Sequence, residues 1–151
     1  MRLNVELAHQ EHLDKVALIE AEIYGIGAWS KNSFVDILNQ PNFIFYVASI
    51  NEEIVGYFVC QIVREEAELH NISVAPKWQR QGIGKQLLQI LLEKLKPSEV
   101  SHVFLMVRAS NEAAKKIYAH FGFTKITVRK NYYNDPVEDA WILKVLLNKR
   151  D

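Results

Sequence analysis

Two glycines one residue apart, Gly82 and Gly84, stand where an apolar strand gives way to an amphipathic helix, with Arg80 before them and Lys85 after. Glycine at a helix start costs about 0.5–1 kcal/mol relative to alanine, so the bare backbone must serve another purpose. The first turn of a helix offers unpaired N–H groups and the positive end of the helix dipole, which together make an anion site. Without β-carbons a phosphate can approach that backbone closely. Two familiar phosphate loops do not fit. A nucleoside-triphosphate loop places four residues between its glycines and follows them with Lys and Ser/Thr; here Ile83 alone separates the glycines and Gln86 follows Lys85. A dinucleotide fingerprint needs a third glycine where Leu87 stands.

The elements that must position this loop can be read from periodicity. Arg2–Leu7 alternates as a short strand, and a helical pattern runs from about Glu11 to Tyr24 with Leu13, Val16, Ala17 and Ile23 on one side. Gly25–Gly27 breaks it, and Ser30 caps a second helix through Leu38. Asn42–Ile50 and Ile54–Val63 form a hairpin around Asn51–Glu53, and Ala67–Val74 is the strand that leads into the glycines. The helix after Gly82 sets Ile83, Leu87, Ile90, Leu91 and Leu95 on one face. His102–Val107 is a strand. Ser110–Phe123 is a helix with Ser110 or Asn111 as its cap, Gly122 as its stop, and Ala114, Ile117, Tyr118 and Phe121 on its buried face. Thr124–Tyr133 and Glu138–Leu147 close the chain as a hairpin. This order describes an α/β domain around a mixed sheet, and the nearly continuous apolar strands predict cover on both faces.

Composition narrows the function classes. A chain of 151 residues, 49% hydrophobic, is expected to fold as one domain over 1–151 with a real core. Lys plus Arg and Asp plus Glu number 18 each, a balance unlike that of a general nucleic-acid binder. The single cysteine, Cys60, cannot staple the fold and reads as a core residue; metal-type Cys/His clusters are absent from the sequence, so no metal is expected. No signal peptide or membrane-length apolar run is present in the sequence, so a soluble, cytoplasmic monomer is expected, bound to neither membrane nor nucleic acid.

The run Gln79-Arg80-Gln81-Gly82-Ile83-Gly84 after an apolar strand resembles the pyrophosphate loop, Q/R-x-x-G-x-G/A, of the GNAT superfamily of acetyl-CoA-dependent N-acetyltransferases. The resemblance extends over nearly the whole chain and implies the GNAT fold, a mixed sheet of about seven strands flanked by about four helices. NISV (Asn71–Val74), RQGIGK (Arg80–Lys85), VRASN (Val107–Asn111) and NYY (Asn131–Tyr133) are similar to the branch that acetylates the N-terminal amine of a small-subunit ribosomal protein. That likeness implies site roles residue by residue. Ile72, Ser73 and Val74 would hold the pantetheine and acetyl group by strand-like backbone bonds, with the Val74 N–H facing the developing oxyanion. Arg80, Gln81, Gly82, Ile83, Gly84 and Lys85 would hold the pyrophosphate. Asn111 would bond the pantetheine arm, and Tyr118 would protonate the departing thiolate, although periodicity alone reads Tyr118 as a core aromatic.

Acetyl transfer by direct attack needs a neutral amine, an oriented thioester, an oxyanion donor and an acid for sulfur. The branch supplies its proton acceptor from a glutamate in L-E-V-R-A-S-N; here the run is Leu105-Met106-Val107-Arg108-Ala109-Ser110-Asn111, and Met106 cannot take a proton. Glu68 matches the strand glutamate that serves as base in the histone-acetylating branch, and strict alternation would put Glu68, His70 and Ile72 on one face. His70 itself reads as a strand histidine satisfied locally. Trp29, Tyr132 and Tyr133 are candidates for the acceptor site, and Glu65, Glu66, Glu68, Glu138 and Asp139 for attracting a basic peptide. The implied acceptor is a protein N-terminus, with a small-molecule amine or a non-catalytic acetyl-CoA-binding module as the competing readings.

Overall fold

The computed structural model describes residues 2–147. One seven-stranded sheet runs through it in the order β1-β2-β3-β4-β5-β7-β6. The strands are β1 (Asn4–Leu7), β2 (Phe43–Ile50), β3 (Glu53–Val63), β4 (Glu66–Val74), β5 (His102–Arg108), β6 (Thr124–Tyr133) and β7 (Glu138–Leu146). The helices are α1 (Leu13–Tyr24), α2 (Lys31–Leu38), α3 (Ile83–Leu95) and α4 (Glu112–His120). Only β4 and β5 run parallel, joined by the α3 crossover; every other pair is antiparallel.

Local chemistry explains most boundaries. Asn51 and Glu52 both have positive φ, 50° and 68°, as a tight two-residue hairpin between twisted strands requires. Ser30 caps α2 by accepting from the Ser33 N–H, and Asn111, not Ser110, caps α4 by accepting from the Ala114 N–H. Gly122 leaves α4 at φ 92°. The expected start of α1 near Glu11 is a short 3₁₀ turn, Gln10–His12, and the α-helix proper begins at Leu13.

Two cores lie on opposite sides of the sheet. Leu13, Val16, Ile19, Phe34, Phe45, Val47, Tyr57 and Val59 join α1 and α2 to one face. Phe58, Cys60, Leu69, Leu87, Leu91, Val103, Leu105 and Tyr118 join α3 and α4 to the other. A fully buried Leu or Phe contributes about 1.5–3 kcal/mol, so these faces carry the fold. On α3 the buried stripe takes Leu88 in place of the expected Ile90, which is only partly covered. Cover on both faces is limited to the middle of the sheet: edge strand β6 is mostly exposed, because its alternation is diluted by Lys125, Arg129 and Lys130.

One polar group is embedded among these contacts. Glu20 is 2% exposed on the inner face of α1. Its Oε1 accepts from the Tyr57 hydroxyl and from Asn71 Nδ2 at 2.8 Å, and its Oε2 accepts from the Trp29 N–H at 3.0 Å. It therefore fastens α1 to β3, β4 and the turn that follows α1. Truncating it strands three donors, each worth about 1–3 kcal/mol when left unsatisfied in a buried place. Glu20→Leu should lower unfolding free energy by at least about 3 kcal/mol in urea titrations, and Glu20→Gln, which keeps one acceptor, by clearly less.

Candidate active site

The site begins where two strands part. β4 and β5 pair only from Glu66↔His102 to Leu69↔Leu105. Beyond that point β4 stays with β3 through Val74, and β5 stays with β7 through Arg108. The wedge between them exposes the edge of β4. The Ala75 N–H donates to Val55 O at 2.8 Å, so its direction is toward β3. By alternation the Ile72 and Val74 N–H groups point into the wedge and those of Ser73 point to β3. Ser73 thus departs from the expected trio: what it offers the site is its side chain, with Oγ 3.4 Å from the Tyr24 hydroxyl.

At the mouth of the wedge lies the glycine loop. Gly82 is the N-cap of α3 in a left-handed conformation, φ 84° and ψ 6°, and Arg80 is also left-handed at φ 65°. The first bond of the helix runs from the Gln86 N–H to Gly82 O at 3.1 Å, so the amides of Ile83, Gly84 and Lys85 have no partner in the helix. Gln79 Nε2 donates to Val74 O at 2.9 Å and latches the loop to the end of β4. The two glycines differ in kind. Gly82 is required by its φ, whereas Gly84 is helical, and a β-carbon there would meet only Val74 Cγ2 at 3.8 Å. The fold does not need Gly84 bare.

Tyr118 reaches the wedge from the α4 side. It is 8% exposed, edge-on to Phe123, and burial holds its phenol well above the ordinary range, reinforced by the neighbouring Tyr24 and Tyr133. The phenol is therefore protonated at any physiological pH, as a proton donor must be. Tyr24 and Tyr133 are also raised by burial.

On the opposite face a cavity of about 360 Å³ opens onto the same wedge, between Tyr24, Gly27 and Trp29 on one wall and Tyr132 and Tyr133 on the other, with Glu68, His70 and Met106 along its floor. A second hollow of about 320 Å³, lined by Gln61, Glu66, Phe104 and Arg129, continues from it past Glu68 and Met106. Both walls are anchored by polar groups that the sequence reading did not single out. Trp29 borders the cavity and also packs on Phe34, its N–H held by Glu20. Arg108 lies 4.3 Å from the Tyr133 ring, bonds Glu138 at 3.2 Å, and donates to Pro136 O and Asn134 O, so it shapes the β6–β7 turn. Glu138 also accepts from the Ser110 N–H at 2.6 Å, and hydrogen bonding from Ser110, its side chain first and its backbone after, holds the carboxyl pKa below the usual range. Asp139 accepts from the Asn131 N–H. These two acids are committed to local hydrogen bonds.

The expected face of β4 needs correction. Val59 opposes Asn71 and Cys60 opposes Leu69, so His70 has no partner on β3 and forms a bulge. The extra residue resets the alternation. Glu68 and His70 look into the cavity, while Ile72 turns to the α3 core. Glu20 and Arg108 had faint signals: Glu20 sits at a core position of the Leu13–Val16–Ile23 stripe, and Arg108 lies within VRASN. Cys60 is buried, its thiol pushed up to about 12 by desolvation, which suits the core reading.

A bare, positively polarised helix start, a strand edge offering amides and a protonated phenol at one wedge define a transferase that draws an extended, phosphate-bearing donor across the sheet. The chain belongs to the acetyltransferase (GNAT) family, which it matches over residues 12–123. It is 39% identical over 118 residues to the [ribosomal protein bS18]-alanine N-acetyltransferase of Escherichia coli K12, covering 76% of this chain and 78% of that protein. It is 34% identical over 140 residues, 92% of each, to the putative enzyme of the same name from Bacillus subtilis. The crystal structure of the Escherichia coli enzyme superposes with a TM-score of 0.90 at 31% identity, covering 99% of this chain and 97% of that one. The protein is thus an N-acetyltransferase that uses acetyl-CoA. The wedge suits that donor, since Ile72 and Val74 offer amides along its length and the α3 turn offers amides to its phosphates. Among the described residues no group of three or more His, Cys, Asp or Glu could hold a metal ion, and no helix is long and apolar enough to cross a membrane.

Gly84→Val tests the loop cleanly, because Gly82→Val would add backbone strain to any ligand effect. We expect Gly84→Val to leave the thermal midpoint of the free protein within a few degrees and to weaken acetyl-CoA binding at least tenfold by calorimetry, about 1.4 kcal/mol.

Proposed function

We propose that this enzyme acetylates the α-amine of a protein N-terminus, and that its acceptor is the N-terminal alanine of a small-subunit ribosomal protein. The similarity to relatives named for that reaction, over three quarters or more of each chain, carries the reading. The cavity agrees with it, being long, aromatic-walled and open to an extended chain between the Gly25–Gly27 turn and the β6–β7 turn. An acceptor of that kind implies work in the cytoplasm. Every residue invoked comes from one subunit and from the single domain proposed for 1–151.

Acetyl-CoA supplies an activated acyl group and a thiolate leaving group. The chain's residues do the rest. Arg80, Gln81, Gly82, Ile83, Gly84 and Lys85 receive the pyrophosphate at the α3 turn. Ile72 and Val74 align the pantetheine arm along β4, and the Val74 N–H faces the carbonyl oxygen as negative charge develops. Asn111 spends Oδ1 on its cap, which leaves Nδ2 to donate to the arm. Tyr118 gives its proton to the departing sulfur. Trp29, Tyr132 and Tyr133 form the acceptor walls, and Glu68 takes the amine proton in place of the glutamate that Met106 replaces.

Magnitudes favour an α-amine. With a pKa of about 7.7–8.0 it is on the order of a tenth neutral at pH 7, and deprotonation costs roughly 1–1.4 kcal/mol; a lysine at about 10.4 would cost roughly 4.6 kcal/mol. An α-amine therefore tolerates a relocated base far better than a lysine does.

Tyr118→Phe keeps the packing and removes the hydroxyl, so turnover should fall by about 10²–10⁴-fold with acetyl-CoA affinity little changed. Unchanged turnover at a chemistry-limited step returns Tyr118 to the core. In a screen of peptides beginning Ala, Ser, Gly or Met against small amines, alanine peptides should react fastest, at a rate rising with pH through the amine pKa. Glu68→Gln should slow the reaction at neutral pH and Met106→Glu should accelerate it. Preference for a small amine would overturn the acceptor assignment.

A further inference from the structure

The bulge at His70 leaves an unusual arrangement on the cavity floor. Gln61 and Glu68 are direct cross-strand partners, and His70 projects beside them on the same face. His70 Nε2 lies 2.9 Å from Gln61 Oε1, and Nδ1 lies 3.8 Å from Glu68 Oε2. The ring is fixed between Trp29 and Phe43, with centroids 6.0 Å away on each side, and Phe43 is stacked. An amide oxygen accepts only, so it holds the imidazole hydrogen on Nε2. Nδ1 then presents a lone pair to the Glu68 carboxylate. Two acceptors face each other with no hydrogen of their own to share.

We infer that Glu68 and His70 form one proton-accepting pair, with Glu68 receiving the proton of the attacking amine and His70 drawing it onward. This rests on the acetyl-transfer reading of the site and adds a positioning residue to it. The ammonium N–H bond breaks as an O–H bond forms on Glu68, and the nitrogen keeps the electron pair with which it attacks. The proton then passes from Glu68 to His70 Nδ1. The product is an imidazolium that faces Gln61 through Nε2–H and the restored carboxylate through Nδ1–H; the imidazolium then returns its Nδ1 proton to the half-exposed Glu68, which passes it to water and leaves both groups as they began. The charge balances at every stage. The pair occupies the cavity whose floor also carries Met106, so it stands beside the position where the family's own acceptor is missing.

Other titratable groups facing the pair do not compete for the role. Glu20 borders the same cavity with both oxygens occupied by Tyr57, Asn71 and Trp29. Tyr24 and Tyr133 are held protonated by burial, and Tyr132 lies on the far wall. Arg129 lines the adjoining hollow with Glu68 and, always charged, takes no part in proton transfer.

The test uses the full-length protein labelled with ¹⁵N. Long-range ¹H–¹⁵N correlation should show the neutral His70 ring as the Nε2–H tautomer, and Gln61→Leu should remove that preference by taking away the acceptor that fixes it. A resting Nδ1–H tautomer, or a tautomer indifferent to Gln61→Leu, overturns the pair. Kinetically, His70→Phe preserves the stacking and should lower turnover on an N-terminal alanine peptide roughly tenfold to a hundredfold at pH 7, below the range for a residue that touches the reacting atoms. The defect should shrink toward pH 9, where the ammonium loses its proton unaided, with the KM for acetyl-CoA unchanged. Gln61→Leu, which keeps both titrating groups and frees the tautomer, should give a smaller loss of the same pH dependence. A pH-independent loss in both variants, or no loss in either, overturns the relay. Should the wild type turn over no peptide, the acceptor reading fails, and the tautomer decides the pair on its own.

Discussion

The separation of β4 from β5 after Leu69 and Leu105 is the constraint on which the rest of this structure depends. A parallel pair that continued would close the sheet and satisfy every amide along β4. By stopping after four residue pairs, the sheet leaves backbone donors at Ile72 and Val74 to be met by a ligand, which is costly for a buried edge without one. The separation is held from outside the wedge. β3 keeps β4 on one side through Val74, and β7 keeps β5 on the other through Arg108. Each layer of the fold can then send a group into one gap: Tyr118 from the α4 side, Tyr24 from the α1 side, and the bare start of α3 at its end.

Two polar anchors keep the cavity walls in register with that gap. Glu20 gathers donors from β3, β4 and the turn after α1, and Arg108 gathers carbonyls and a carboxylate from the β6–β7 turn while covering the Tyr133 ring. A turn of two glycines around the exposed Ile26 and a loop at residues 134–137 have little apolar burial of their own. Fully satisfied hydrogen-bond networks give such segments one geometry where packing cannot. The positioning of the walls is thus electrostatic, and that of the donor side is hydrophobic.

Met106 changes the chemistry without changing the frame. Its strand neighbours Leu105 and Val107 fill the α3 core as alternation demands, and its own side chain looks onto the cavity floor. β5 offers no carboxylate at this position, whereas Glu68 and His70 on β4 stand together with Gln61, which is why the proton acceptor is proposed there. The demand on that acceptor is small for an α-amine and large for a lysine, so the exchange of one strand for its neighbour is compatible with N-terminal substrates in particular.

Much of this was legible in the chain itself. Gly82 and Gly84 announce an anion loop because glycine is unfavourable at a helix start unless the backbone is in use. Periods of two and 3.6 residues locate the strands and helices, since burial of one face is the term that decides them. Asn111 and Tyr118, seven residues apart, fall at the cap and on the inner face of one helix for the same reason. What sequence could not decide was anything resting on contacts between distant elements. Strict alternation put Glu68, His70 and Ile72 together, and the bulge opposite Val59 and Cys60 turned Ile72 away from the other two, because the register of β4 is set by β3 and not by β4. Glu20 is a charge on an apolar stripe, and the donors that satisfy it, Tyr57, Asn71 and Trp29, come from 37, 51 and 9 residues away. Local periodicity records which face is buried. Which polar groups meet there is decided only when the layers close, because desolvation makes every unpaired donor costly and so selects the partners.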